Sequence, residues 1–221
     1  GETLTEELTC ETVFSIGGIG ISESVVVTWI IMAVFLLAAF LLTRNLKVEN
    51  PGRGQLMLEY IVTWLQGIGE GIIGEEEKGY ASYLTSILIY LGVANLIGML
   101  GFKPPTKDLN VTAALALMSI VLIEYAGIHE KGVKRWLKSF AEPIALVAPI
   151  NIMEVAIKPL SLCMRLFGNV LGAFVIMKLI EYVLPVGLPV IFSAYFDLFD
   201  GLIQAYVFVF LTGLFIKESM E

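Results

Sequence analysis

The sequence predicts an all-α integral membrane protein. It should have about five membrane helices plus one interfacial amphipathic helix, with helices five and six long and tilted as a hairpin. Three observations carry this expectation. The 221 residues are 57% hydrophobic, with a mean hydropathy of +0.83. Only 16% are charged, against about 25% in an ordinary soluble domain. The apolar residues also fall into long runs, and about 20 apolar residues in a helix span a bilayer core. The chain has room for several such spans and little else, so residues 1–221 are expected to form one membrane domain.

The balance of charge and of metal-binding residues excludes other classes. A net charge of −7 argues against nucleic acid as a partner. Cys10 lies in the polar N-terminal segment and Cys163 inside an apolar helix. That separation argues against a disulfide, and two distant cysteines give no metal spacing. His129, in a charged loop, is the one histidine, so no metal site or cofactor is expected. Residues 1–23 read as an external segment. Glu2, Glu6, Glu7 and Glu11 stand there without any Lys or Arg, so the basic region of a signal peptide is missing.

The elements follow in order. Ser24 to Thr43 is uncharged and long enough to span, and Arg44, Lys47 and Arg53 follow at once. Residues 54–73 are different. Met57, Tyr60, Ile61, Trp64, Leu65, Ile68 and Ile72 recur at intervals of three and four, with Glu59, Thr63, Gln66 and Glu70 on the opposite stripe. That pattern predicts a helix lying on the membrane surface. Gly67, Gly69 and Gly71 should weaken its last turns. Tyr80 to Phe102 is the next span. The stretch from Lys103 to Asp108 holds paired prolines and reads as a rigid turn. Asn110 is the expected N-cap of the span Val111–Ile128, and His129–Phe140 is expected to be a basic loop.

Pro149 to about Leu184 reads as one long helix. The segment Pro185–Pro189 breaks it, and Val190 to Ile216 reads as the last helix before a short charged tail. At 1.5 Å per residue these two approach about 50 Å, well beyond a bilayer core of about 30 Å. They must therefore tilt. Basic residues set the orientation. With the N-terminus outside, nine fall inside (Arg44, Lys47, Arg53, Lys78, Lys131, Lys134, Arg135, Lys138, Lys217) and two outside (Lys103, Lys107). The C-terminus is then cytoplasmic, as is the interfacial helix.

Within the long helices some residues are expensive to place. An arginine at mid-bilayer costs about 2.5–3.5 kcal/mol on insertion scales, and Arg165 is far from both ends of its helix. At 100° per residue, Glu154, Lys158, Ser161, Asn169 and Gly172 lie within about 40° of it. Glu154 and Lys158 are four apart and positioned to pair. Arg165 has no acid at three or four residues' distance, so a partner must come from elsewhere. On the last helix, Ser193, Asp197, Asp200, Gly201 and Gln204 form a second stripe. Its acids should face a protein partner, the Arg165 helix or a water-filled cavity rather than lipid. An internal ion pair between helices would explain some of this, with Lys178 the candidate for one Asp. Gly168, Gly172 and Gly201 read most simply as close-packing sites.

The segment Lys158-Pro159-Leu160-Ser161-Leu162-Cys163-Met164-Arg165-Leu166-Phe167-Gly168-Asn169 closely resembles the signature of subunit a of F-type ATP synthases. The stretches Pro105–Thr112 and Gly201–Phe208 resemble two further parts of that family, in the same order, over roughly residues 25 to 216. The resemblance implies a non-catalytic stator subunit in the membrane sector, standing beside a ring of c subunits and attached to peripheral-stalk b subunits. Ions, H⁺ or Na⁺, would pass through two offset half-channels by way of the ring's carboxylates. Arg165 would separate the two paths, with Asn169, Gln204, Asp197, Asp200, Glu154, Lys158, Ser161 and Glu181 the other residues implicated in translocation. It also implies a multi-pass protein of a bacterial inner membrane. Many members carry an acid nine residues after the arginine and a histidine seven before the glutamine; here those positions hold Phe174 and Asp197. The external path is therefore altered, with Asp197, Asp200 and Glu181 the available acids. A stand-alone secondary transporter or channel would also explain buried charge, but the sequence carries no inverted repeat. A plain membrane anchor would leave both stripes without a purpose.

Overall fold

The computed structural model describes residues 12–16, 19–44, 46–47, 51–74, 78–100, 104–140, 148–183, 192 and 194–220; of 12–16, 19, 78, 99, 100, 181, 194 and 197 only the backbone is described. The architecture is all-α, with one addition at the N-terminal end. Strands β1 (Thr12–Ile16) and β2 (Ile19–Ser22) form an antiparallel hairpin that leads into helix α1 (Glu23–Thr43). Cys10 lies outside the described residues.

Helix α1 has Glu23 in its first turn, where a carboxylate favours the positive end of the helix dipole. Its surface is mostly apolar and exposed. Leu36, Leu37 and Phe40 face outward, while Val27 and Ile31 pack on Ala94. Such a surface is stable only against lipid or another chain. Helix α2 (Arg53–Ile73) is the amphipathic one. Its glycines do not weaken the last turns, which run unbroken to Ile73 and stop at Gly74 with φ 114°. Packing supplies the reason. A Cβ at Gly69 would stand 2.8 Å from the Ala81 carbonyl oxygen, so glycine there lets α2 lie directly on helix α3 (Lys78–Leu96). Met57, Tyr60 and Trp64 in its first half remain exposed.

Helix α3 is the centre of the bundle. Leu84 and Leu91 are fully buried between helix α4 (Leu109–Lys131) and helix α7 (Gly201–Met220), and Ala94 is buried against α1. Among the described residues, four helical stretches are long and apolar enough to cross a membrane: Glu23–Thr43, Leu109–Lys131, Ala148–Ile180 and Leu198–Met220. With 19 residues, α3 reaches about 28 Å. It gives way to a 3₁₀ turn at Ile97–Leu100, short of the expected end at Phe102.

Two expectations are corrected between α3 and the long helix. Asp108, not Asn110, caps α4: its Oδ1 accepts from the Asn110 amide at 2.9 Å. The turn expected there is present, as a buried 3₁₀ turn at Pro105–Lys107. The region after Ile128 is helical, since α4 continues to Lys131 and Gly132 (φ 77°) starts a short helix α5 (Val133–Ser139). Trp136 pins α5 back onto α4 by donating from Nε1 to Glu124 Oε2 at 3.0 Å.

Helix α6 (Ala148–Val183) has 36 residues, about 54 Å, with Pro159 inside it. Its Leu162, Cys163 and Leu166 face the core, where Thr112 lies 3.6 Å from Cys163 Sγ. The last helix departs most from expectation. Val190, Ile191 and Ser193 are outside the described residues; Ala194–Asp200 is π-helical and passes directly into α7. The helix then runs past Ile216 to Met220. The charged tail is ordered by its contacts: Glu218 meets Lys158 and Ser219 Oγ donates to the Ile123 carbonyl at 2.7 Å.

Candidate functional site

The polar stripe of α6 lies on its surface. Glu154, Ser161, Arg165 and Asn169 are all exposed, while Leu162 and Leu166 on the other side fill the core. The 3.6-residue period explains the split, because residues three and four apart share a face. Among the described residues nothing bonds the Arg165 guanidinium, although Arg165 stands near the middle of a 36-residue apolar helix. An always-charged group with five donors is thus presented outward from the bundle.

Gln204 of α7 comes to Arg165. The two line one shallow depression with Leu162, Leu166 and Phe208. Its lining joins two polar side chains to three apolar ones. It sits where α6 and α7, which touch sparingly elsewhere, approach each other. Gly168 and Gly172 extend the same surface of α6. Nothing lies within 4 Å of a Cβ built on either. Among the described residues they therefore do not act as the expected close-packing sites, and they leave a smooth, open strip beside Arg165. Gly201 does pack closely, with a built Cβ 3.0 Å from Asn95 Cβ.

Two turns along α6 from Arg165, the expected Glu154–Lys158 pair forms, with Nζ 3.3 Å from Glu154 Oε1. Sequence reasoning missed the third member. Glu218 Oε2 of α7 lies 3.2 Å from the same Nζ, and the Phe215 ring lies 5.2 Å away. Lys158 thereby bridges the two long helices. The signal missed was the continuation of α7 through Lys217 and Glu218.

The acids fare differently. Asp200 is half-buried at the end of the π-helical turn and does not line the Arg165 depression. Asp197 is in the same turn, but its side chain lies outside the described residues, as does that of Glu181. Around Phe174, where the family resemblance led to the expectation of an acid, there are two ammonium groups. Lys107 Nζ sits 3.5 Å and Lys178 Nζ 5.8 Å from the ring centroid. Such cation–π contacts compensate part of the cost of burying an ammonium, and Lys107 is only 6% exposed. The expected pairing of one Asp with Lys178 falls on Asp197, whose side chain lies outside the described residues, or on Asp200.

Lys107 belongs to a buried polar cluster in the segment that the sequence reads only as a rigid turn. Asn95, Thr106, Asp108 and Thr112 are buried with it. Asn95 Nδ2 donates to the Gly201 carbonyl at 2.8 Å, Thr106 Oγ1 donates to Asn95 Oδ1 at 2.7 Å, and Ser22 Oγ donates to Asp108 Oδ2 at 2.8 Å. Among the described residues, every buried side-chain nitrogen and oxygen has a hydrogen-bond partner. The paired prolines gave no sign of this, because a polar turn and a polar plug have the same composition.

A family model described as ATP synthase A chain matches residues 25–217. The chain is 37% identical over 214 residues to ATP synthase subunit a 2 of Bradyrhizobium sp., covering 96% of this chain and 95% of that one. It is 37% identical over 210 residues to ATP synthase subunit a of Moorella thermoacetica, covering 95% of each. ATP synthase subunit a 2 of Acaryochloris marina is 31% identical over 214 residues, 96% of this chain and 91% of that one.

Proposed function

The chain belongs to the ATP synthase A chain family, and on that premise we propose that it is the ion-translocating, non-catalytic stator subunit of a rotary ATP synthase, working against a ring of c subunits. The observation that carries the reading is the exposed Arg165 in the middle of α6, unbonded among the described residues and sharing a depression with Gln204. A charge so placed is unfavourable in lipid by several kcal/mol, on the order of the mid-bilayer insertion scales. An anionic partner from another chain stabilises it, and a ring that presents membrane-embedded carboxylates supplies one after another. Gly168 and Gly172 leave the adjacent surface smooth, which lets such a partner slide past without interlocking side chains.

The mechanism follows from the chemistry of the residues. Arg165 attracts each deprotonated ring carboxylate as it passes. It cannot be deprotonated, so it relays no proton and blocks direct leakage between the two half-channels. The hydroxyl of Ser161 and the Glu154–Lys158–Glu218 group mark the path on one side. Asp197, Asp200 and Glu181 are the acids for the other side, with Gln204 and Asn169 next to the arginine. Either H⁺ or Na⁺ is compatible with these groups, since the choice rests with the ring's binding site. The electrical part of the driving force is about 2.3 kcal/mol per charge per 100 mV. We assign the chain to a bacterial inner membrane, with the N-terminus outside, the C-terminus cytoplasmic and peripheral-stalk b subunits as further partners.

The test is Arg165→Ala in the assembled complex, read by ATP-driven ion pumping in vesicles and by co-purification of the c-ring. Pumping should be abolished while the chain still inserts and the ring still co-purifies. Near-normal coupled pumping would end the reading.

A further inference from the structure

The point where the π-helical turn Ala194–Asp200 becomes the regular helix α7 is held from the side. Asn95, in the last turn of α3, donates from Nδ2 to the Gly201 carbonyl at 2.8 Å. Its Oδ1 accepts from Thr106 Oγ1 at 2.7 Å. Asn95 is 3% exposed and Thr106 fully buried. An amide suits this position because it donates from one atom and accepts on the other. Gly201 makes the approach possible, since a Cβ there would press on Asn95 Cβ at 3.0 Å.

The register of the last helix depends on this junction. A π-helix bonds from residue i to i+5 and so carries more residues per turn than an α-helix. Residues before the junction are therefore rotated relative to the phase that α7 alone would give them. Asp197 and Asp200 stand before it, and Gln204 stands one turn beyond it. Rotation or slippage at Gly201 would change the angle between the acids and the Arg165–Gln204 depression. An apolar residue at 95 would fill the core without the expense of burying an amide, but it would hold nothing at Gly201.

We propose that Asn95 is a positioning residue for the ion path: it locks the π-to-α junction at Gly201 and so fixes the phase in which Asp197 and Asp200 are presented relative to Gln204 and Arg165. This rests on the functional reading above. Asn95 touches no ion and acts only through the Gly201 carbonyl.

The decisive variant is Asn95→Asp in the assembled complex. It is nearly isosteric and still accepts from Thr106, but it offers an acceptor oxygen to the Gly201 carbonyl in place of a donor. Coupled pumping should fall about tenfold, the effect of losing one buried hydrogen bond, with a normal amount of chain in the complex. In an Asp200→Cys background, Asn95→Asp should also change the rate of alkylation by a water-soluble maleimide several-fold, on the order of what such a loss allows. Thr106→Val, which removes only the outer donor, should move both readouts the same way by about two- to threefold. If Asn95→Asp fails to insert, Gly201→Ala strains the same junction without removing a polar group and should produce the same pair of changes.

Unchanged cysteine reactivity in Asn95→Asp, or in Gly201→Ala where it must stand in, would overturn the proposal whatever the pumping rate. Unchanged pumping in that variant, with Arg165→Ala inactive, would overturn it while leaving the ion-path reading intact. Normal pumping by Arg165→Ala would instead remove the reading itself, and the cysteine readout would still decide whether Asn95 holds the junction.

Discussion

The two polar regions of this bundle are built from similar residues and treat them in opposite ways. Around Asn95, Thr106, Asp108 and Thr112, amide, hydroxyl and carboxylate groups are buried and bonded to one another and to backbone. Along α6, Ser161, Arg165 and Asn169 are exposed and unbonded among the described residues. In an apolar solvent an unsatisfied polar group costs several kcal/mol, roughly the expense of a lost hydrogen bond in hydrocarbon. The first region meets that demand inside the chain. The second leaves it to something outside. A polar group closed on itself is structural, whereas one left open on a lipid-length helix marks an interface.

The strongest way to break this contrast is to alter the open region and look for a folding defect. Arg165→Lys keeps the charge but loses the planar fork of donors, and a lysine can release its proton where an arginine cannot. Coupled pumping should fall about a hundredfold or more, on the order of losing a buried charge-assisted bond. The amount of chain in the membrane and its thermal unfolding in detergent should stay unchanged. A lowered melting temperature would mean that Arg165 is bonded within the chain after all, and the contrast would collapse.

The closed region should respond the other way. Asp108→Ala removes the cap of α4 and the acceptor for Ser22 together. The expected loss is about 1–2 kcal/mol of stability, typical of a helix N-cap. It should appear as a lower melting temperature in detergent and a lower yield of assembled chain. Pumping per assembled complex should change little. A large drop in pumping at normal yield would move Asp108 from the scaffold into the ion path.

Between the two lie Asp197 and Asp200, in the π-helical turn that joins one region to the other. Asp197→Asn and Asp200→Asn should each slow coupled transport several-fold, about what a lost charge-assisted hydrogen bond allows, without uncoupling it from ATP hydrolysis. Cysteines at both positions should react with a small water-soluble reagent from outside. Full transport in the double Asn variant would assign the acids to the scaffold.

How much of this was legible in the sequence follows the same division. The long helices were readable from hydrophobic runs, because length and apolarity decide a span by themselves. Residues 149–184 were expected in one helix and Ala148–Val183 are found there. The Arg165 stripe was readable because helical periodicity places side chains on faces without any tertiary information. The Asn95 cluster was not, since its partners lie in three segments as much as 106 residues apart and only the packed fold brings them together. The π-helical turn was also invisible. Its sequence, AYFDLFD, has ordinary helical spacing, and nothing in that spacing signals the extra residue per turn. Glu218 was missed for a related reason: the C-terminal charges looked like a solvated tail until the Lys158 contact gave them a partner.

The smallest effect is expected at the Lys158–Glu218 bridge between α6 and α7. Lys158 is 16% exposed but Glu218 is 51% exposed, so water screens the pair and its net contribution should be about 0–1 kcal/mol. Glu154 lies 3.3 Å from the same ammonium and can take over when Glu218 is gone. Glu218→Gln should therefore leave the melting temperature nearly unchanged, and Lys158→Met should do slightly more because it removes both pairs and the contact with Phe215. A double-mutant cycle between Lys158→Met and Glu218→Gln isolates the pair, and repeating it at high salt separates screening from packing. A coupling near zero at both salt concentrations would mean that Lys158 belongs with Glu154 on the open stripe of α6. A coupling well above about 1 kcal/mol, beyond an exposed pair, would mean that the bridge is shielded in the complex by a partner lying across the ends of α6 and α7. In that case this end of the hairpin is an interface as well, and the open region extends from Arg165 to the end of the chain.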